Sequence, residues 1–318
     1  EVRVWLGAHI PEDLELPRRG QPVPPAVQEW AVKFRRALGE KGWLASGWPK
    51  EYGGGGLTPV HSSIIQDELG RRPLPPIHGS LHILPAIRVW GTEEQKQKFL
   101  APILKGEKVT WRKYTEPQAG TDLANVLSTA VKDGDEWVLN GSNQFISGYQ
   151  RPNLLFGPMK TDPDAPRHRN LGFFMIPFPT PGLEIHDQRM TNNGRQHFVY
   201  LHDVRVPADH LIGGENQGWQ VTNTVLEQEH GGRGQAFPRD DVMDRLVEWM
   251  QEHKKAGREL GDDPVVQQEV VEAFCESHAL ELMNKRTYAY HMGGQEMSWE
   301  GSNTGLAGRD ISLRNVGR

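Results

Sequence analysis

The chain has 318 residues, 24% of them charged, and a formal net charge of -5. That length holds two or three domains with sizeable cores. The mild acidity excludes a bulk positive field for nucleic acid or an anionic membrane, so neither is expected as a partner. No apolar run approaches a membrane span, and the N-terminal stretch Glu1–Leu6 has neither the basic region nor the apolar core of an export signal. The single Cys275 cannot form an intrachain disulfide and is expected to pack inside a helical core; a reducing cytoplasm fits.

From the N-terminus, residues 1–109 read as a helical domain with irregular connections. Gln28 to Leu38 place Trp30, Ala31, Phe34 and Leu38 at helical spacing. Residues 43–59, rich in Gly, Trp and Pro, read as a loop, and no Gly-Lys-Ser/Thr follows Gly53–Gly56 to make a phosphate loop. Val60 to Leu69 is a second helix, broken by the prolines that follow. His78 and His82 are four apart, but with no third ligand evident they are read as packing or surface residues, and no metal is expected. Thr92-Glu93-Glu94-Gln95 is a capping box opening a helix to Leu104.

The period then becomes two. Residues 110–214 read as a β domain. Ser128–Lys132 and Glu136–Leu139 flank an Asp133-Gly134 turn, Asn140-Gly141 reads as a second turn, and Leu171–Phe178, Leu183–Asp187 and Gln196–Val206 read as strands. Lys160 to Asn170 reads as an exposed loop. Residues 215–318 return to the helical period. Asp241 to His253 is amphipathic, and Val265 to Met292 is a long helix with Val266, Val270, Phe274, Ala279, Leu282 and Met283 on its apolar face. Glu300-Gly301-Ser302 starts a late helix that glycines then dissolve.

Within this frame stands Tyr114-Thr115-Glu116-Pro117-Gln118-Ala119-Gly120-Thr121-Asp122. By itself it is a polar turn, with Pro117 fixing φ and Gly120 allowing close backbone approach. It resembles the T-E-P-x-A-G-(S/T)-D signature of the acyl-CoA dehydrogenases. Gly42-Trp43 through Trp48-Pro49-Lys50-Glu51-Tyr52-Gly53-Gly54, Asn140-Gly141-Ser142-Asn143-Gln144-Phe145-Ile146-Ser147, Asp203-Val204-Arg205-Val206-Pro207 and Gly213-Gly214-Glu215-Asn216-Gln217-Gly218-Trp219 resemble four more motifs of that family, in its order.

The resemblance implies an α+β fold, with an N-terminal helical domain, a middle β-barrel-like domain and a C-terminal helical bundle. The chain stops at Arg318, so a short or incomplete member lacking the last helices is expected. It implies FAD as cofactor, α,β-dehydrogenation of an acyl-CoA thioester, electron transfer to an electron-transferring flavoprotein, and a homo- or hetero-oligomer, dimer or tetramer. In that family a carboxylate takes the C2 proton of the acyl chain while hydride leaves C3 for the flavin.

By the same resemblance Tyr114, Thr115, Gly120 and Thr121 contact the flavin or the start of the acyl channel. Phe145 stands where the family has a Trp against the ring, Ser147 where a Thr bonds its polar edge, and Ile146 lies between. Val225-Leu226-Glu227-Gln228-Glu229-His230-Gly231-Gly232 resembles L-x-x-E-R-x-x-G, making Glu229 the candidate base and Glu227 a weaker one. Read as residues alone, Glu229 is equally a solvated carboxylate on an amphipathic helix, and other branches carry the base nearer the C-terminus. Arg258 resembles the Arg that reaches a neighbouring subunit's FAD pyrophosphate, a task suited to a guanidinium. Trp111-Arg112-Lys113 departs from the family's small or apolar residues and puts two cations before the signature. The rival readings are a flavin monooxygenase on the same fold and a non-catalytic subunit of a heteromer.

Overall fold

The computed structural model describes residues 1–14, 16, 23–71, 74–75, 81–191, 195–231, 241–255, 263–293, 295 and 299–317. Two compact units emerge, Glu1–Gln228 and Glu229–Arg318.

In the first unit, α1 (Val2–His9), α2 (Pro25–Glu40) and α3 (Pro59–Gly70) close around Leu6, Ala31, Phe34, Leu38, Trp43, Ile65 and Leu69. Pro25 and Pro59 sit in the first turns of their helices, where a missing N–H costs nothing. The expected helices lie inside α2 and α3. A further helix that sequence reading did not single out, α4 (Ile83–Trp90), follows His82, while His78 lies outside the described residues. The capping box is present: the Thr92 hydroxyl accepts from Gln95 N and the Gln95 side chain accepts from Thr92 N. It opens three abutting pieces, α5 (Glu93–Gln95), a π-helical turn Lys96–Leu100 and α6 (Ala101–Leu104).

Eight strands form one mixed sheet: β1 (Thr110–Arg112), β2 (Thr129–Asp133), β3 (Glu136–Ile146), β4 (Leu154–Lys160), β5 (Leu171–Pro177), β6 (Leu183–Arg189), β7 (Arg195–Pro207) and β8 (Leu211–Ile212). The order is β6-β7-β3-β2-β4-β5-β8, with β1 beside β4. Both β1 and β2 pair in parallel with β4, at Thr110↔Leu154 through Arg112↔Phe156 and at Thr129↔Lys160. The chain between them, residues 113–128, therefore spans the gap in that edge and carries the signature turn. One face of the sheet packs on Ile83, Ile87, Phe99, Leu100, Ile103, Val221 and Val225. The other encloses Trp111, Trp137, Leu139, Leu155, Met159, Phe174, Val199 and Leu201.

Asp133-Gly134 turns as expected, with β2 and β3 antiparallel across it. Asn140-Gly141 does not turn. β3 runs straight through it, and its register against β7 slips between Leu139 and Gly141. Gly141 has φ +154, and a Cβ there would come within 2.0 Å of the Ser128 hydroxyl, so glycine serves a bulge and a close approach. β4 was not foreseen, because Leu154–Met159 is buried throughout and shows no alternation.

α7 (Gly218–Gly231) starts in the first unit. The second holds α8 (Asp241–Lys255), α9 (Pro264–Met292) and α10 (Glu300–Gly317). α10 corrects the expectation of a dissolving helix. Thr304 lies buried against Thr287 of α9, their hydroxyls 3.2 Å apart, and a Cβ on Gly308 would rest on Leu280 at 3.6 Å. The buried side of α9 is Ala273, Ser277 and Thr287, whereas Phe274, Leu282 and Cys275 are exposed, the last against expectation. Among the described residues no helix is long and apolar enough to cross a membrane.

Candidate active site

The site begins with the signature turn. Glu116 N donates to Ala119 O and Ala119 N returns a bond to Glu116 O, which closes the Pro117-Gln118 corner. The Glu116 carboxylate is 3% exposed and turns inward. It accepts from Leu127 N at 2.5 Å, Ser128 N at 3.0 Å and the Ser128 hydroxyl at 2.5 Å. One side chain thus ties the corner to the start of β2 and satisfies two backbone donors that no ladder reaches. Sequence reading gave Glu116 no role. Its partners lie 11 and 12 residues away, beyond any local pattern.

β3 meets the turn from the other side. Gln144 N donates to Thr115 O at 2.9 Å, and the Asn143 amide reaches Tyr114 O and Thr115 O at 3.4 Å. The register of β3 against β7 slips again between Asn143 and Ile146. Inside that slip Phe145 has φ +57, a left-handed backbone costly for a residue with a Cβ. Its N–H donates to Gln188 Oε1 at 3.1 Å, and its ring stays 45% exposed. Next to it the Ile146 carbonyl accepts from His197 Nδ1 at 3.1 Å. Burial holds the His197 pKa below its ordinary value, so the ring is neutral near pH 7 and Nδ1 is the donor. Trp111 packs on His197 with ring centres 4.4 Å apart. A Cβ at Gly148 would fall 1.9 Å from the indole, which leaves room there for glycine alone.

These elements bound one cleft of about 470 Å³, within the size range of small-molecule sites. Tyr114, Thr115, Phe145, Ile146 and Ser147 all line it, together with His82, Trp111, Arg112, Tyr149, Gln150 and Arg195. Five sequence-predicted residues from two segments thus share one wall. Gly120 and Thr121 stand outside that lining, exposed on the turn, where Asp122 pairs with Arg167. Glu227 is exposed on α7. Glu229 falls on α7, but its side chain lies outside the described residues, as does all of Arg258.

The two cations before the signature part company. Arg112 lines the cleft, its guanidinium 5.2 Å from the centre of the Tyr114 ring. Lys113 points away and is 1% exposed, with no hydrogen-bond partner for Nζ among the described residues. Burial lowers its pKa to about 8, against an opposing pull from Glu116. Sequence reading also missed Arg35, which is buried and donates to Gly106 O at 2.8 Å and to Gln150 Oε1. A signal was there: Arg35 falls on the same stripe as Ala31 and Leu38.

The wall's chemistry suits a flat heteroaromatic ring with an acceptor edge. It offers the aromatic faces of Trp111, Tyr114 and Phe145, and the hydroxyls of Thr115 and Ser147. Profiles of the acyl-CoA dehydrogenase N-terminal, middle and C-terminal domains match residues 5–107, 113–204 and 216–307. The chain belongs to the acyl-CoA dehydrogenase family, whose members are FAD-dependent flavoproteins. It is 37% identical to acyl-CoA dehydrogenase FadE29 of Mycobacterium tuberculosis, over 67% of this chain and 56% of that protein. It is 30% identical to acyl-CoA dehydrogenase IpdE1 of Mycolicibacterium smegmatis, over 93% and 79%. Among solved structures, the Tcur3481-Tcur3483 steroid ACAD superposes with a TM-score of 0.82 at 29% identity, covering 99% of this chain and 80% of that one. The chain thus spans little more than half the length of FadE29.

Proposed function

We propose that this chain carries out FAD-dependent α,β-dehydrogenation of an acyl-CoA thioester to the trans-2-enoyl-CoA, with an electron-transferring flavoprotein as acceptor. The observation that carries the reading is the single cleft in which Tyr114, Thr115, Phe145, Ile146 and Ser147 converge. When bound, FAD supplies the hydride acceptor. The chain's residues do the rest. The Thr115 and Ser147 hydroxyls bond the ring's polar edge, and Phe145 and Tyr114 wall its flat faces. Glu116 and His197 hold the two segments in register. Gly120 and Thr121 border the acyl channel, and Arg258 serves a neighbouring subunit's FAD. The domain limits 110 and 214 bracket the flavin-holding part.

Glu229 is the base in this reading. Proton removal from C2 needs a carboxylate that is largely dry once substrate is bound. His230 stands beside it where the resembling motif has an Arg. Oligomeric assembly, with copies of itself or with a second chain, is supported by the exposed Phe274, Leu282, Trp299 and Leu313. The Tcur3481-Tcur3483 protein is itself named as a pair. A cytoplasmic location fits this chemistry.

The test is the absorption spectrum of protein reconstituted with FAD, then anaerobic titration with straight-chain and ring-bearing acyl-CoAs. Flavin bleaching by one of them supports the reading. A protein that takes up no FAD sinks it and favours a non-catalytic subunit. Glu229→Gln is expected to keep FAD and CoA binding while slowing bleaching about a thousandfold, the scale of combined general-base and positioning effects. Unchanged bleaching moves the base elsewhere.

A further inference from the structure

Two cations, Arg112 and Arg195, line the cleft, Arg195 lying 3.7 Å from the Asp187 carboxylate, and among the described lining residues there is no Asp or Glu. Two buried donors on lining residues, Trp111 Nε1 and Gln150 Nε2, have no hydrogen-bond partner among the described residues. Behind Gln150 stands Arg35 of α2, only 4% exposed. Among the described residues its hydrogen bonds go to two neutral acceptors, Gly106 O and Gln150 Oε1. An Arg can only donate, so the Gln150 carboxamide must turn its oxygen toward Arg35 and its NH₂ away. Burial, and then the neighbouring Arg36, lower the Arg35 pKa to about 10, which still leaves a full charge at neutral pH. A buried guanidinium held by neutral acceptors alone is costly unless something negative comes near it.

We propose that this wall is built to hold negative charge in the cleft. Arg112, with Arg35 acting through Gln150, stabilises the charge that a hydride leaves on the bound flavin ring. This rests on the reading of the cleft as the flavin site. Hydride transfer breaks one C–H bond of the acyl chain and forms one N–H bond at N5. It brings two electrons and one net negative charge to a neutral ring, while the neighbouring carbon's proton goes to the base. Fixed cations at a partly buried wall favour that charge without having to reorganise as it forms. Stacking on Tyr114 keeps Arg112 at the wall. Arg35 is a positioning residue: it fixes which end of Gln150 faces away from α2 and adds its own field.

Sulfite reads this wall without substrate turnover, because its addition to N5 of oxidised flavin leaves the same negative charge. In the FAD-loaded protein, Arg112→Gln is expected to weaken sulfite binding at least tenfold. The two-electron midpoint potential should fall by about 30 mV, the equivalent of a tenfold change. Arg112→Lys, which keeps the charge, should recover most of both. Gln150→Leu, which breaks the link to Arg35, should shift both the same way, by about threefold. Sulfite affinity and potential within twofold of wild type in Arg112→Gln overturn the proposal. So does an Arg112→Lys variant as weak as Arg112→Gln, which would make the effect one of shape. Wild-type protein that takes up no FAD overturns the flavin reading itself. Yellow wild-type protein with an unchanged Arg112→Gln variant overturns this inference alone.

Discussion

Arg112 and Lys113 are neighbours in sequence with the same charge, and the structure uses them in opposite ways. Arg112 stands on the cleft wall, with its guanidinium over the Tyr114 ring. Lys113 is shut into the opposite side of the same strand end, under the turn that Glu116 closes. There its charge is a burden that burial raises and Glu116 only partly relieves. A strand alternates its faces, so adjacent cations separate into one that can serve a ligand and one that can serve only the fold. What decides a cation's role here is the side of the chain on which it falls as β1 ends.

The largest expected effect strikes the buried side. Glu116→Ala orphans the N–H groups of Leu127 and Ser128 and the Ser128 hydroxyl, and leaves Lys113 without its opposing charge. Each buried donor left unpaired costs about 1–3 kcal/mol. A stability loss of about 3–5 kcal/mol is expected in chemical denaturation of the variant. A loss under about 1 kcal/mol would mean that the turn stands without Glu116.

Lys113→Met sharpens the comparison through pH. The folded-state pKa of Lys113 is depressed from 10.5 to about 8. Its stability contribution is therefore fully present above pH 10.5 and is lost as pH falls through about 8, where the fold must bury the charge. The span of some 2.5 units corresponds to about 3 kcal/mol. Wild type should gain on Lys113→Met by an amount of that order as pH rises from 7 toward 10, measured as the difference between their unfolding free energies. A difference that stays flat across that range would place a solvated amine at Lys113.

The same contrast marks what the sequence could and could not say. The capping box at Thr92 and the Asp133-Gly134 hairpin were readable because each is a local device with its partners three or four residues away. The wall residues Tyr114, Thr115, Phe145 and Ser147 were readable through motif resemblance, which carries long-range information that periodicity lacks. Gly141 was misread because an Asn-Gly pair looks the same in a turn and in a bulge; the Ser128 hydroxyl pressed against it decides the matter. In α9 the large apolar residues suggested the buried face, yet close approach of α10 selects Ala273, Ser277 and Thr287. Arg35, Lys113 and Glu116 escaped for one reason: a charged side chain reads as solvated until its burial is known.

The smallest effect on the fold is expected at Phe145, on the cleft side, and there function and stability should separate. A ring that belonged to the core would cost about 3–5 kcal/mol on removal. The Phe145 ring is 45% exposed and its backbone sits at φ +57. Phe145→Gly therefore gives up little buried area and relieves about 1 kcal/mol of left-handed strain. It also loosens the unfolded chain at a cost of about 0.5–1 kcal/mol. These terms nearly cancel, so unfolding free energy should stay within about 0.5 kcal/mol of wild type. If the ring is retained in its strained position to wall a flat ligand, FAD affinity should meanwhile fall about tenfold, in keeping with about 0.5–1.5 kcal/mol for a lost aromatic contact. A variant that loses 3 kcal/mol of stability while binding FAD as before would make Phe145 a core residue and remove it from the site. A variant that keeps both would leave its backbone strain without a function.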